Sequence, residues 1–347
     1  MSSQSPSKSR YHGFMIAAQL CIGLLLCGVI YQQIGQMVDR MQVSAPGKFV
    51  QVDGVKNHLF CTGQGHPTVL LEAGATGFAQ TWAWVQSSLS DTARVCSYDR
   101  PGMGWSQSSD LPADGLSLVK HLKSLLDAAD EQGPYLLVGH SMGGPLMQIF
   151  AGHYPDEVAG LILVDPAHPQ QMERFSADIR EKYVQFYELL EISSLLAPTG
   201  LLRLTNYLGD KAKDLPEVDY RVARLFASSS THIDRSVQEI SNWQTTMAEA
   251  SRFMNFGSMP LTVLSASADP RESVGFSEQV NSLHEELSKM SKQGKHIRLD
   301  AADHFSILMR EAHAHNTSES IKIMLEEIRG QDVQARRHQT LSGQPAS

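Results

Sequence analysis

The chain alternates short strand-like runs, most of them rich in apolar residues, with longer segments in which apolar residues recur every three or four positions. The short runs have the length of strands that are buried on both faces. In chain order they are 68–71, 94–98, 135–138, 160–165, 261–264 and 295–299. Between them lie helix-like segments such as 116–129, whose leucines share one face. Strands that alternate with helices form βαβ units, so the pattern predicts an α/β fold with a mostly parallel central sheet and helices on both faces.

Two interruptions of this alternation are informative. Near the start, the alternating runs 48–52 and 56–61 flank Asp53-Gly54, which is typical of a β-hairpin. Later, residues 167–258 contain helical segments at 172–192, 196–208 and 218–228 but no convincing strand. A helical insertion cannot join the sheet, so it must pack over one edge. We expect a cap above the site described below, and a distal helical appendage is the alternative.

The N-terminus has a different composition from the rest. No Asp, Glu, Lys or Arg occurs from Tyr11 to Val38, and residues 14–30 are almost wholly apolar. At about 1.5 Å per residue, residues 14–34 span roughly 30 Å, the thickness of a hydrocarbon core. Tyr11 and Tyr31 lie where interfacial aromatic residues are expected. We predict an uncleaved single-pass membrane helix. A cleaved signal peptide is the alternative, although no small-residue cleavage site directly follows the apolar run.

The charge balance narrows the choice of partners. The 347 residues carry a net charge of −8 and no Lys/Arg-rich stripe, which argues against a nucleic-acid partner. Lys and Arg are nearly balanced around the apolar span, but the short N-terminal tail favours an exported main domain.

The pattern of elements divides the chain into a tail, anchor and linker (1–47), a core (48–166 and 259–328), a cap (167–258) and a disordered tail (329–347). The oligomeric state stays open.

One turn carries the strongest chemical signal. The sequence Gly139-His140-Ser141-Met142-Gly143 lies between the apolar run 135–138 and a helix-like segment from residue 146. A strand-turn-helix of this kind brings the chain into close contact with itself, which explains glycines two residues to either side of the serine. The Met142 N–H at the helix start can face a developing oxyanion. A glycine-rich turn of some other α/β protein is the alternative.

The remaining catalytic groups should lie in loops at the same edge. Ligands in open α/β sheets bind at the carboxyl ends of the strands, where loops 73–77, 139–143, 266–270 and 301–305 converge. These loops offer backbone donors, Ser141, Asp269 and His304 in chain order. An imidazole can activate a serine hydroxyl, and a carboxylate can fix its tautomer. Asp165 also ends a strand, but we favour Asp269 because it follows the strand after the cap.

Five ordered motifs now support a family resemblance. They are LLEAGATG, YDRPGMGWS, LVGHSMGG, LILVDPAH and AADHF. From about residue 48 to 328 the chain resembles α/β-hydrolase fold proteins with a helical cap. The resemblance implies Ser141 as nucleophile, His304 as general base and then acid, Asp269 as the group that orients His304, and Ala75 as the second oxyanion donor. Family members more often carry His-Gly before that donor, whereas this chain has Ala73-Gly74.

Other polar residues are assigned structural roles. We expect His140 to pack within the elbow and Asp99 with Arg100 to pin the glycine-rich loop after residue 98. His313 and His315 are two residues apart and so do not share a helix face, which argues against a metal site.

The resemblance also bears on the cysteines. It places the strand containing Cys61 beside the strand containing Cys96, from which we predict a disulfide. Two buried thiols are the alternative. A disulfide would fit export to an oxidising compartment. Cys21 and Cys27 lie in the apolar span and serve as small hydrophobic residues.

Together these inferences predict a membrane-anchored serine hydrolase that cleaves carboxylic esters through an acyl-enzyme, with no metal or organic cofactor. The cap leucines suggest a hydrophobic acyl or alcohol part and a lipid-like small-molecule substrate; they are Leu195, Leu196, Leu201, Leu202 and Leu204. A peptidase, thioesterase, acyltransferase or cofactor-free perhydrolase would use the same residues. A non-catalytic binding protein on this scaffold is a further alternative.

Overall fold

A single eight-stranded sheet forms the centre of the protein. The computed structural model describes residues 8–267 and 274–342. Its strands are β1 (Lys48–Val52), β2 (Val55–Thr62), β3 (Thr68–Glu72), β4 (Val95–Tyr98), β5 (Tyr135–His140), β6 (Val158–Val164), β7 (Leu261–Ala266) and β8 (Gly294–Leu299). They lie in the order β1-β2-β4-β3-β5-β6-β7-β8. The β1–β2 and β2–β4 pairs are antiparallel and the other five are parallel, which confirms the predicted mostly parallel sheet.

Helices cover both faces of this sheet, as predicted. Outside the cap and the N-terminus they are α2 (Ala83–Leu89), α3 (Gly115–Ala128), α4 (Gly143–His153), α11 (Val274–Ser288), α12 (Ser306–Met309) and α13 (Glu311–Ser342). Successive strand residues point to opposite faces, so Leu70 joins the apolar core under α3 and α4, whereas Leu71 joins the core under α2 and α13. The two cores hold the strand ends, and the loops that follow them, in fixed positions.

The segment between β6 and β7 is helical. It contains α5 (Gln171–Arg174), α6 (Ala177–Leu196), α7 (Leu201–Thr205), α8 (Glu217–Ala227), α9 (Ser230–Ser241) and α10 (Trp243–Ala250). The helix predicted over 196–208 is broken by a 3₁₀ turn, Ala197–Thr199, which contains Pro198. Gly200 follows with φ 78°, a left-handed conformation that favours glycine. These helices form the cap over the carboxyl edge of the sheet.

Long helices stand at both ends of the chain. The N-terminal helix α1 (Lys8–Gln42) is long and apolar enough between Tyr11 and Gln42 to cross a membrane. At the other end, α13 continues to Ser342, beyond the boundary at residue 329 where we expected disorder to begin. No glycine or proline lies between Gly330 and Gly343, so nothing in that stretch ends the helix.

The predicted pairing of Cys61 with Cys96 corresponds to neighbouring positions in the sheet. The two residues are register partners on the antiparallel strands β2 and β4. The structure joins their sulfur atoms, which lie 2.06 Å apart, in a disulfide.

Candidate active site

Ser141 lies at the apex of a tight turn between β5 and α4. Its φ of 53° is unusual for a residue with a side chain and projects it from the end of the strand. A Cβ on Gly139 would lie 2.3 Å from the carbonyl oxygen of Gly143, and one on Gly143 would lie 2.5 Å from that of Glu72. Only glycine fits at either position, so the flanking glycines are what allow the turn.

His304 bridges Ser141 and a carboxylate. Its Nε2 lies 3.1 Å from Ser141 Oγ, and its Nδ1 lies 2.6 Å from Asp165 Oδ2. Burial by itself raises the pKa of Asp165, but the hydrogen bond and charge of His304 outweigh it and lower the pKa to about 2. The ionised carboxylate accepts the Nδ1 proton, which leaves Nε2 as the acceptor for the Ser141 hydroxyl. This is the geometry of a nucleophile, a base and an orienting acid.

Strand adjacency explains why Asp165 reaches this position. β5 and β6 are neighbours with His140 opposite Val164, so Ser141 and Asp165 follow adjacent strand ends. The backbone N–H of Ala266 donates to the other carboxylate oxygen over 2.9 Å and fixes the group. Asp269, which we favoured from the sequence, lies outside the residues that the structure describes. The carboxylate found beside His304 Nδ1 is the alternative, Asp165.

The loop after β3 passes beside Ser141. A Cβ on Gly74 would lie 2.9 Å from Ser141 Cβ, so the Ala73–Gly74–Ala75 backbone passes directly beside the serine. The N–H groups of Ala75 and Met142 have no hydrogen-bond acceptor within the described parts of the chain. Both N–H groups are therefore open to an acceptor near Ser141, and their role as oxyanion donors stays a prediction.

A buried guanidinium holds this loop where family members more often have His-Gly. Arg100 Nη1 donates to the Ala73 carbonyl oxygen over 2.8 Å, and Nη2 donates to that of Gly74 over 2.9 Å. The same group forms ion pairs with Glu72 and with Glu239 of α9. Arg100 thus fixes the oxyanion loop and joins it to the cap. We predicted only a structural role near Asp99, and nothing in the spacing of Glu239 indicated this contact.

His140 connects the elbow to the loop that carries His304. Its Nε2 lies 2.9 Å from the His304 carbonyl oxygen. Burial, together with the charge of His304, lowers the pKa of His140 to about 3. The ring is therefore neutral near pH 7 and donates to that carbonyl, which fits the packing role we predicted.

A cavity of about 600 Å³ lies between the cap and Ser141. Its floor contains Ser141, Asp165 and His304, and its roof comes from the cap. The roof is largely aromatic and aliphatic, with Phe175, Tyr183, Phe186, Tyr187, Leu190 and Trp243 among its residues. Such a lining suits a hydrophobic group next to the serine.

One group of potential metal ligands occurs within the described ranges, at Cys61, Cys96 and Glu131. The two sulfur atoms are bonded to each other, and Glu131 is held by the guanidinium of Arg94. Neither the thiolates nor a free carboxylate is therefore available to a metal ion.

Comparison with known proteins places the chain in a family. The sequence profile of the alpha/beta hydrolase fold matches residues 67–310. The chain belongs to the alpha/beta hydrolase fold family. This confirms the resemblance drawn from the five motifs.

Individual relatives of this hydrolase-fold protein are more distant. The chain is 30% identical to an uncharacterized Schizosaccharomyces pombe protein over 192 residues. The aligned region covers 47% of this chain and 35% of that one. It is 26% identical to uncharacterized YqjL of Bacillus subtilis, over 74% of this chain and 84% of that one. It is 32% identical to the monoacylglycerol lipase ABHD6 of Bos taurus, over 41% of each. The chain thus spans less than half of the first and third relatives.

Solved structures share the fold. The crystal structure of a membrane phospholipase A, a bacterial virulence factor, superimposes with a TM-score of 0.60 at 18% identity. The match covers 93% of this chain and 99% of that one. At this identity the likeness concerns the fold alone.

Proposed function

We propose that this protein is a membrane-anchored serine hydrolase that cleaves carboxylic esters with a hydrophobic acyl or alcohol part. The supporting observation is the position of His304, whose two ring nitrogens lie within hydrogen-bond distance of Ser141 and Asp165. The apolar cavity above these residues favours a hydrophobic substrate, and the partial similarity to a monoacylglycerol lipase agrees with a lipid-like ester.

The proposed reaction uses only groups of this chain and water. Ser141 Oγ attacks the ester carbonyl carbon as its proton passes to His304 Nε2, and the N–H groups of Ala75 and Met142 stabilise the oxyanion. The tetrahedral intermediate collapses, and the alcohol leaves with the proton from the imidazolium. A water molecule, deprotonated by His304, then attacks the acyl-enzyme and releases the acid. Asp165 keeps His304 in the required tautomer throughout.

Activity-based labelling tests this assignment. A fluorophosphonate probe should label the wild-type protein and leave Ser141→Ala unlabelled. Equal labelling of the two proteins, or none of the wild type, would reject catalysis at this serine. Profiling with esters of increasing chain length, and with amide, thioester and peracid-forming reactions, then separates an esterase from the other uses of the same residues.

The membrane part of the proposal rests on α1. Residues between Tyr11 and Cys27 are almost all exposed, and a Cβ on Gly13 or Gly23 would meet nothing within 4 Å. An exposed apolar helix of this length is typical of a membrane span. We expect α1 to resist extraction from membranes with alkaline carbonate. Release into the supernatant would indicate a cleaved or peripheral segment.

We place the catalytic domain on the exported side of the membrane. The Cys61–Cys96 disulfide supports this placement, since disulfides persist in oxidising compartments. Alkylation of the unfolded, unreduced protein should modify two cysteines, Cys21 and Cys27. Modification of all four would count against the disulfide and weaken the assignment to the exported side.

A further inference from the structure

The cap packs against the N-terminal helix at one face of α1. A Cβ on Gly28 would lie 2.3 Å from the Thr199 carbonyl oxygen, and one on Gly35 would lie 2.7 Å from Arg203 Nε. The two glycines are seven residues apart, which places them on the same side of a helix two turns apart. At Gly28 the neighbour is backbone, so only a residue without a side chain allows the cap to approach α1 this closely there. Gly13 and Gly23 have no such neighbour.

Polar contacts lock this junction on the C-terminal side of the apolar segment. Gln32 is fully buried, and its amide donates to the Ser228 carbonyl oxygen. Arg203 Nε donates to Gln32 Oε1 over 3.2 Å, and its guanidinium also forms an ion pair with Asp39. The cap therefore has a fixed position relative to the helix that we propose crosses the membrane.

With α1 across a bilayer, this position would put the cap at the membrane surface. Thr199 touches α1 at Gly28, within the apolar stretch that extends to Ile30. The residues on either side of Thr199 must then lie at about the depth of the last apolar turn. Three of them are exposed leucines: Leu195 is 78% exposed, Leu201 44% and Leu204 72%. Leu201 and Leu204 are three residues apart and so share one face of α7.

Three further exposed residues of the cap line the cavity. Phe186 and Leu189 of α6 and Tyr207 after α7 are exposed by 39%, 38% and 56%, and all three also line the cavity above Ser141. We define the apolar cap face as Phe186, Leu189, Leu195, Leu201, Leu204 and Tyr207.

We propose that the apolar cap face rests in the bilayer that α1 spans and that long-chain esters reach Ser141 from that bilayer. The inference rests on the proposed membrane anchoring and ester hydrolysis. Contact with a bilayer is favoured over contact with a second copy of the chain because this surface borders the apolar span itself.

A depth measurement tests the contact independently of catalysis. The full-length chain carrying Cys21→Ser and Cys27→Ser receives an environment-sensitive NBD label at Leu204→Cys, and Ile323→Cys serves as the matched control. Ile323 is a 55% exposed residue of α13. In phosphatidylcholine proteoliposomes we expect doxyl-labelled lipid to quench the label at residue 204 at least about three-fold more than at 323. Aqueous iodide should show the opposite order.

Each other outcome overturns a specific statement. Retention of the protein after carbonate extraction, with equal iodide quenching at residues 204 and 323, would overturn the cap inference alone. Shielding of residue 204 from both quenchers, with energy transfer between labelled copies, would assign the surface to a second copy. Release by carbonate would overturn the anchoring and the inference together.

An activity ratio tests the substrate route. Leu201→Glu/Leu204→Glu should lower hydrolysis of a long-chain ester embedded in vesicles at least about ten-fold, while hydrolysis of soluble p-nitrophenyl butyrate changes less than about two-fold. Ile323→Glu should change neither rate. An unchanged ratio in the double variant would overturn the route. If the wild-type protein hydrolyses neither ester, the proposed function fails, whereas the depth measurement still decides the membrane contact.

Discussion

The floor of the cavity and the cap above it differ in what they bury. On the floor, polar groups are enclosed and paired: Arg100 is 2% exposed and Asp165 9%, and each has fixed hydrogen-bond partners. In the cap, large apolar residues such as Leu195 and Leu204 are mostly exposed. A buried charge is tolerated only in one geometry, so the floor can position reacting atoms. An exposed apolar surface is instead suited to contact with a fluid apolar medium such as the interior of a bilayer.

The largest effect is expected from a substitution at the centre of the cavity floor. Ser141→Ala removes the nucleophile, and we expect ester hydrolysis to fall by at least about 10⁴-fold. The unfolding midpoint should change little because the turn depends on the glycines. The measurement is kcat on a soluble ester, with circular dichroism to verify folding. A residual rate within ten-fold of the wild type would mean that Ser141 is not the nucleophile.

The next variant distinguishes the two carboxylates. Asp165→Asn retains the shape but presents a neutral amide to His304 Nδ1, so the imidazole loses the carboxylate that fixes its tautomer. We expect kcat to fall by about 10³ to 10⁴-fold. Asp269→Asn is the control, with a loss below about ten-fold. The reverse order of the two losses would restore Asp269, the residue favoured from the sequence, as the orienting acid.

The third variant cuts the link between floor and cap. Arg100→Met leaves Glu72 buried without its cation and Glu239 with only the more distant Arg235, so the free energy of unfolding should fall by about 3–5 kcal/mol. Hydrolysis should also weaken, because the Ala73 and Gly74 carbonyls lose their donor. Arg221→Met, which breaks an exposed ion pair on α8, should change stability by less than about 0.5 kcal/mol. Equal effects in a urea titration of the detergent-solubilised proteins would contradict the linking role.

The smallest expected effect is on the pH dependence of the free energy of unfolding. Burial lowers the pKa of His140 to about 3 and that of His168, at the entry to the cap, to about 4, from an ordinary value of 6.5. As the pH falls, the unfolded chain takes up these protons at a higher pH than the folded protein does. The contribution of the neutral histidines to stability is therefore fully present above about pH 6.5, and it decreases as the pH falls towards their pKa values in the folded protein. Each histidine contributes a slope of at most about 1.4 kcal/mol per pH unit.

His168→Gln should therefore make the pH dependence of the unfolding free energy shallower between pH 6 and pH 4.5. Because the variant is compared by slope, a change in absolute stability does not affect the result. Urea titrations at four pH values give that slope. An unchanged slope would mean that His168 is not held neutral in the folded protein.

Local patterns in the sequence were enough to predict the sheet, the elbow and the positions of Ser141 and His304. The period of apolar residues separates strands from helices, and the glycines at 139 and 143 allow the turn, so each of these features depends on residues close together in the chain. The end of α13 was less predictable, since a polar helix without an apolar stripe resembles a disordered tail.

What the sequence by itself determined is the set of chemical groups and the strand ends that carry them. Only the tertiary structure decided which carboxylate faces His304, because that depends on β6 lying beside β5, and no residue near Asp165 in the chain encodes this neighbour. The same holds for Arg100 reaching Glu239, 139 residues away, and for the cap resting on Gly28 of α1. Contacts between distant segments depend on how whole elements pack, whereas a turn depends on the few residues that form it.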